Sequence, residues 1–288
     1  MTLILILLAI AVEHYAGVTE NLRRFGWLEE YIRWLENRLA RYPLWNGPAG
    51  VVITLAGPLA GVLLAGWGLT ALFYPLGLLF SLAVLLYSLG PCYLNRELNG
   101  YLDALQNDDE ARVEILARQF SYTGTTVPDE QDIIEGILIQ SNEKLFGVLF
   151  WFVILGPFGA MVYRLTGVLR EKRDDIHGGY ADSIRDLHDL LNWPAARLLA
   201  LGNALSGSMV DAIEGWREVE SQSLAVNEAV IRNSGIGALN YRAAVTEEDD
   251  TAADDRGYWI ASVQGLLNRT LVIWLTVLGL MTIAGWLS

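Results

Sequence analysis

Four side chains in "SIRDLHDLLNWPAARL", residues 183–198, offer a cation, an imidazole, a carboxylate and an amide: Arg185, His188, Asp189 and Asn192. At about 100° per residue a helix carries all four on one face, with Leu187, Leu190 and Leu191 opposite. Such a set can hold an anionic headgroup, with Arg185 or Arg197 as a bidentate donor and Asp189 orienting His188. The same pattern equally describes the wet face of an interfacial helix. Trp193-Pro194 interrupts or restarts the helix, and Arg197 leads into a short apolar run.

A second polar group, Gln140-Ser141-Asn142-Glu143-Lys144, stands at the mouth of nineteen uncharged residues, Leu145 to Tyr163. Gln140, Asn142 and Glu143 are the ligand-binding candidates there, and Glu135 precedes them. Glu13 closes the opening run "MTLILILLAIAV". A carboxylate in that position is costly unless it snorkels to water or meets a base such as Arg164 or Arg197. His14 and His177 have no ligand spacing around them, so no protein-bound metal centre and no cofactor are expected. A loosely held Mg²⁺ on Glu13, Glu135 or Asp189 is the one metal the residues allow. A P-loop, a dinucleotide fingerprint, G-x-S-x-G and H-E-x-x-H are all missing. The single cysteine, Cys92, excludes an intramolecular disulfide and a Cys-based zinc site.

These groups must be positioned by elements that composition assigns to a membrane. Apolar residues make up 53% of the 288-residue chain and charged ones 18%, and the apolar residues gather in uncharged blocks. A net charge of -13 argues against a nucleic-acid partner, which demands a clustered basic surface. No charge occurs between Arg41 and Arg96. That length predicts a hairpin of two spans, about 48–71 and 76–94, turning at Tyr74-Pro75, with both basic flanks cytoplasmic. Further spans are expected at 145–163 and 270–286. The runs 2–12 and 198–210 are too short to assign firmly and fit interfacial, re-entrant or half-spanning helices. Gly57, Gly61 and Ala65 form a smooth ridge for helix packing within the bundle or for a homodimer. Residues 25–42 form an amphipathic helix for the headgroup layer, Pro128 opens another helix, and 245–257 reads as an acidic solvated loop. The expected architecture is one all-α domain, a polytopic helical membrane protein with four to six embedded helices.

The stretches "MTLILILLAIAVEHYAG", "LFGVLFWFVILGPFGAMVYR" and "LHDLLNWPAARL", together with a final apolar helix, resemble the AmpE/CobD/CbiB family of membrane proteins over nearly the whole chain. One branch modulates β-lactamase induction; the other, the cobinamide-phosphate synthases, joins an activated carboxylate to an amino-alcohol phosphate. The first and third stretches look closest to the AmpE branch. The synthases show E-N-x-x-D-G before the third span, where this chain has Ile139-Gln140-Ser141-Asn142-Glu143-Lys144. After that span they show N-T-x-D-S-M-V-G-Y, where it has "GVLREKRDD", with Gly167 and Arg170 replacing Asn and Asp. Glu135, Asp189, Asn192 and Arg197 still match the synthase pattern, and Glu13 stands where the synthases place Asp. The resemblance therefore implies a non-enzymatic regulator or sensor of the bacterial inner membrane with no catalytic residues. Its pocket of Glu13, Glu135, Gln140, Asn142, Glu143, Arg185, His188, Asp189, Asn192 and Arg197 would bind a cell-wall-derived or lipid-linked molecule and adjust β-lactamase induction. The alternatives are an active synthase of cobalamin assembly and a membrane scaffold for a partner protein.

Overall fold

A computed structural model describes residues 1–16, 25–39, 41–42, 45–89, 93–125, 128–172, 178–219, 226–241 and 257–286. Cys92, His177 and the acidic residues 245–256 lie outside them. The regular structure among the described residues is entirely helical, and three helices are long and apolar enough to cross a membrane: Pro48–Leu72, the run Glu130–Lys172 and Tyr258–Ile283. The protein is an all-α membrane protein. It divides into two compact units, one comprising Met1–Pro91 and Gly147–Asn192, the other Cys92–Phe146 and Trp193–Ser288.

The first unit holds α1 (Thr2–Ala16), α2 (Gly26–Leu39), α3 (Pro48–Leu72), α4 (Tyr74–Ser88), α8 (Gly147–Lys172) and the start of α9 (Gly179–Ser206). Phe73 is extended between α3 and α4, and Pro75 lies in the first turn of α4, where its missing N–H costs no helical bond. Leu28, Ile32 and Leu35 of α2 recur at helical spacing and pack with Val51, Leu55, Leu165 and Ile184 in the core. Trp27 and Trp34 remain on the outer side of α2. The small-residue ridge of α3 is divided in its contacts. A Cβ on Gly57 would meet the Tyr31 hydroxyl at 2.4 Å, whereas Gly61 faces open space.

α8 folds back on itself. Gly156 has φ 64° and ψ -150°, a region essentially closed to residues with a Cβ, and Pro157 follows it. A Cβ on Gly147 would fall 2.3 Å from Cζ of Tyr163. Sixteen residues of unbroken helix would separate those positions by about 24 Å. The stretch 145–163, which hydropathy suggests as one crossing, is therefore bent double, and its two ends lie side by side.

The second unit holds α5 (Tyr93–Gln106), α6 (Glu110–Phe120), α7 (Glu130–Ser141), a π-helical turn (Asn142–Phe146), the rest of α9, α10 (Met209–Arg217), α11 (Asn227–Ala238) and α12 (Tyr258–Ile283). Asp109 and Asp129 cap α6 and α7 by accepting from the backbone N–H groups of Arg112 and Asp132. Leu98, Phe120, Ile134, Ile137, Phe146, Leu199 and Leu266 centre its core.

Candidate functional site

Of the polar stripe on α9, His188 and Asn192 point inward, while Arg185 and Asp189 stay partly exposed. His188 is 0% exposed and Asn192 1%, while Leu190, on the opposite face, is 54% exposed. His188 and Asn192 thus face the interior, while Asp182 and Asp186 of the same helix are exposed alongside Leu190. The wet-face reading of this stripe is thus overturned at His188 and Asn192.

In the first unit, Asn192 Oδ1 accepts a hydrogen bond from the Tyr163 hydroxyl at 3.1 Å. The α8 reversal brings Tyr163 to this position. Thr166 donates its hydroxyl to the carbonyl of Tyr163 at 2.8 Å and lies 3.3 Å from His188 Nδ1. With the hydroxyl proton directed at the carbonyl, Nδ1 is the nitrogen that donates, and Nε2 keeps its lone pair. Burial holds the imidazole neutral, its pKa pushed down to about 3, with the positive charges of Arg170 and Arg164 adding to the effect. Gly167 leaves room for this ring, since a Cβ there would come within 3.3 Å of His188 Cε1. Arg185 is paired with Asp182 at 3.1 Å in a half-exposed position. Asp189 and Glu13 are both partly buried.

In the second unit, Glu135 is 8% exposed and both its carboxylate oxygens are engaged, by Arg232 Nη1 at 2.7 Å and Gln131 Nε2 at 2.8 Å. Arg232 also lies over the Tyr122 ring, whose hydroxyl donates to Glu228 at 3.2 Å. Arg197 donates through Nη1 to Asn227 Oδ1 at 2.6 Å and to the Trp193 carbonyl at 3.1 Å, with its guanidinium over the Trp193 ring. Gln140 accepts from Lys144 at 2.7 Å and donates to the Gln119 carbonyl at 3.0 Å. Asn142 is fully buried in the π-turn and Glu143 is half-buried. Such turns recur at functional positions because they re-aim side chains without breaking the helix.

The geometry adds Tyr163, Thr166, Asn227 and Arg232 to the sequence-derived set. None carried a local signal: Tyr163 sits within an apolar run, and Arg232 meets Glu135 across 97 positions of chain. Among the described residues no three His, Cys, Asp or Glu side chains gather as a metal site requires. Glu135, with both oxygens taken by an arginine and an amide, does not fit a Mg²⁺ ligand.

The CobD/Cbib protein family model matches residues 6–272. A cobalamin biosynthesis protein CobD from Chromobacterium violaceum is 28% identical over 206 residues, 68% of this chain and 65% of that protein. A protein of the same name from Stutzerimonas stutzeri is 33% identical over 111 residues, 36% of each chain. The chain thus aligns with less than two thirds of either relative's length. No solved structure is significantly similar. These findings overturn the expectation of a non-enzymatic AmpE-like regulator of β-lactamase induction: the curated relatives are named for cobalamin biosynthesis, and neither AmpE nor a signalling role finds support. Of the four residues that match the synthase pattern, Glu135, Asn192 and Arg197 are buried and Asp189 is partly buried. With its family model covering nearly the entire length, this chain belongs to the CobD/Cbib protein family.

Proposed function

We propose that the protein is a multi-pass inner-membrane synthase of cobalamin assembly, joining an activated carboxylate to the amine of an amino-alcohol phosphate. The observation that carries this reading is the burial of polar side chains along α9: His188 and Asn192 in the first unit and Arg197 in the second. Buried polar groups are expensive unless they are paired, and in a membrane protein they mark functional positions. In the reaction class, the amine nitrogen attacks the activated carbonyl carbon, a C–N bond forms, the activating group departs with its bonding electrons, and the nitrogen loses a proton. The positive field of Arg164 and Arg170 around His188 suits a phosphorylated substrate. The neutral imidazole beside it is a hydrogen-bonding group at pH 7 and adds no charge of its own. Relative to the synthase pattern, Arg170 stands for an Asp in the first unit, which raises the positive charge available there to an anionic substrate.

The test is complementation of a strain lacking its cobinamide-phosphate synthase, with membrane abundance checked in parallel. Rescue by the wild-type chain, and its loss in Asn192→Ala and Arg197→Ala at normal abundance, is the expected result. No rescue by an abundant wild-type chain sinks the proposal.

A further inference from the structure

We propose that residues 193–206, the second half of α9, lie within the bilayer against α12 and present Leu198, Leu201 and Leu205 to lipid acyl chains. This rests on α12 crossing the membrane, which its length and composition permit.

The register between the two helices fixes the depth of α9. The Ser206 carbonyl accepts from Arg269 Nε at 3.0 Å, and Ser206 Oγ lies 2.6 Å from Thr270 Oγ1. Thr270 donates to Asn203 Oδ1 at 3.2 Å. One turn further along, a Cβ on Gly202 would fall 2.7 Å from Thr270 Cγ2 and 3.0 Å from Trp274 Nε1, so this glycine lets the helices approach closely. As α9 is followed backwards from 206 to 202, its partners advance from 269 to 274. The helices are antiparallel, and α9 runs along the part of α12 that follows Arg269. That part, 270–283, carries no charge and is about 21 Å long.

Average hydropathy conceals α9 because Arg197 and Asn203 lower it. Both, however, face inward: Arg197 is 8% exposed and bonded to Asn227, and Asn203 is fully buried and bonded to Thr270. The guanidinium of Arg197 and the amide oxygen of Asn203 are matched inside, and the Asn203 Nδ2, buried without a hydrogen-bond partner among the described residues, is at least turned away from the exterior. Outside remain Leu198, Leu201 and Leu205, at helical spacings of three and four, all exposed. On α12 the exposed Val272, Val277 and Leu280 make a second aliphatic face. An apolar exterior, polar groups turned inward and a register that sets the end of α9 beside an uncharged segment together specify acyl chains as the occupant.

The experiment places a nitroxide at Leu201→Cys and Leu205→Cys, with Leu280→Cys on α12 and Arg217→Cys on α10 as references, in the full chain with Cys92→Ser, reconstituted in phospholipid nanodiscs. Collision rates with oxygen and with a water-soluble nickel chelate are compared at each site. Oxygen collisions dominating at 201 and 205 as they do at 280, with the reverse at 217, support the inference. Nickel dominating at 201 and 205 while 280 stays in lipid overturns it and leaves the membrane reading intact. Protection from both reagents at 201 and 205 overturns it in favour of a second copy or a partner protein. Nickel dominating at 280 as well overturns the membrane reading of α12, and with it this one.

Discussion

Tyr163 rests on the bare Cα of Gly147, a contact made possible only because the chain reverses at Gly156 between them. The ring is 1% exposed and its hydroxyl is held by Asn192, so it has nowhere to retreat. Gly147→Ala is expected to destabilise the protein by about 1–3 kcal/mol through overpacking. Tyr163→Phe, which removes only the hydroxyl, is expected to cost about 0.5–1.5 kcal/mol. Thermal melting in detergent orders the two, and an unchanged melting temperature for Gly147→Ala rules out the folded-back geometry.

Gly156→Ala separates backbone strain from packing. A Cβ at this position has nothing within 4 Å, yet φ is 64°. The expected loss, about 1–3 kcal/mol, is conformational. Gly61→Ala on α3, where a Cβ also meets open space and no positive φ is involved, is the control that should melt unchanged or slightly higher.

The Glu135–Arg232 pair ties α7 to α11 in a largely buried setting. Removing one partner leaves the other charge poorly matched. Glu135→Ala and Arg232→Ala should therefore each destabilise strongly, while the double substitution costs less than their sum by about 1–3 kcal/mol. Strict additivity in a double-mutant cycle by chemical denaturation would show that the ion pair contributes nothing.

His188 predicts an acid-sensitive fold. Its folded pKa of about 3 lies below the ordinary 6.5, so between these values the unfolded chain binds the extra proton. Its contribution is complete above pH 6.5 and declines by about 1.4 kcal/mol per pH unit as the pH falls towards 3. The stability difference between wild type and His188→Gln, followed from pH 7 to pH 4, should shrink with this slope. A difference that stays constant means the imidazole is not buried in its neutral form.

The helical class and the membrane setting were legible in the sequence, because uncharged apolar blocks and helical periodicity depend only on neighbours along the chain. The same local logic put the hairpin turn at Tyr74-Pro75, one residue past the break at Phe73, and marked the helix opening after Pro128 and the common face of His188 and Asn192. The single crossing read into 145–163 shows where that logic stops: hydropathy measures the length of an apolar run and is blind to a reversal made by one glycine at positive φ.

Periodicity establishes which side chains share a face, but it leaves open whether that face meets the interior or the surroundings. The inward turn of α9's polar stripe was decided by packing against Thr166 and Tyr163 of α8, and farther along by Asn227 and Thr270. Likewise, Glu135 is a lone acid in the sequence until α11 brings Arg232 to it. Local patterns follow from the covalent chain and its solvent, whereas these pairings exist only once distant helices have packed.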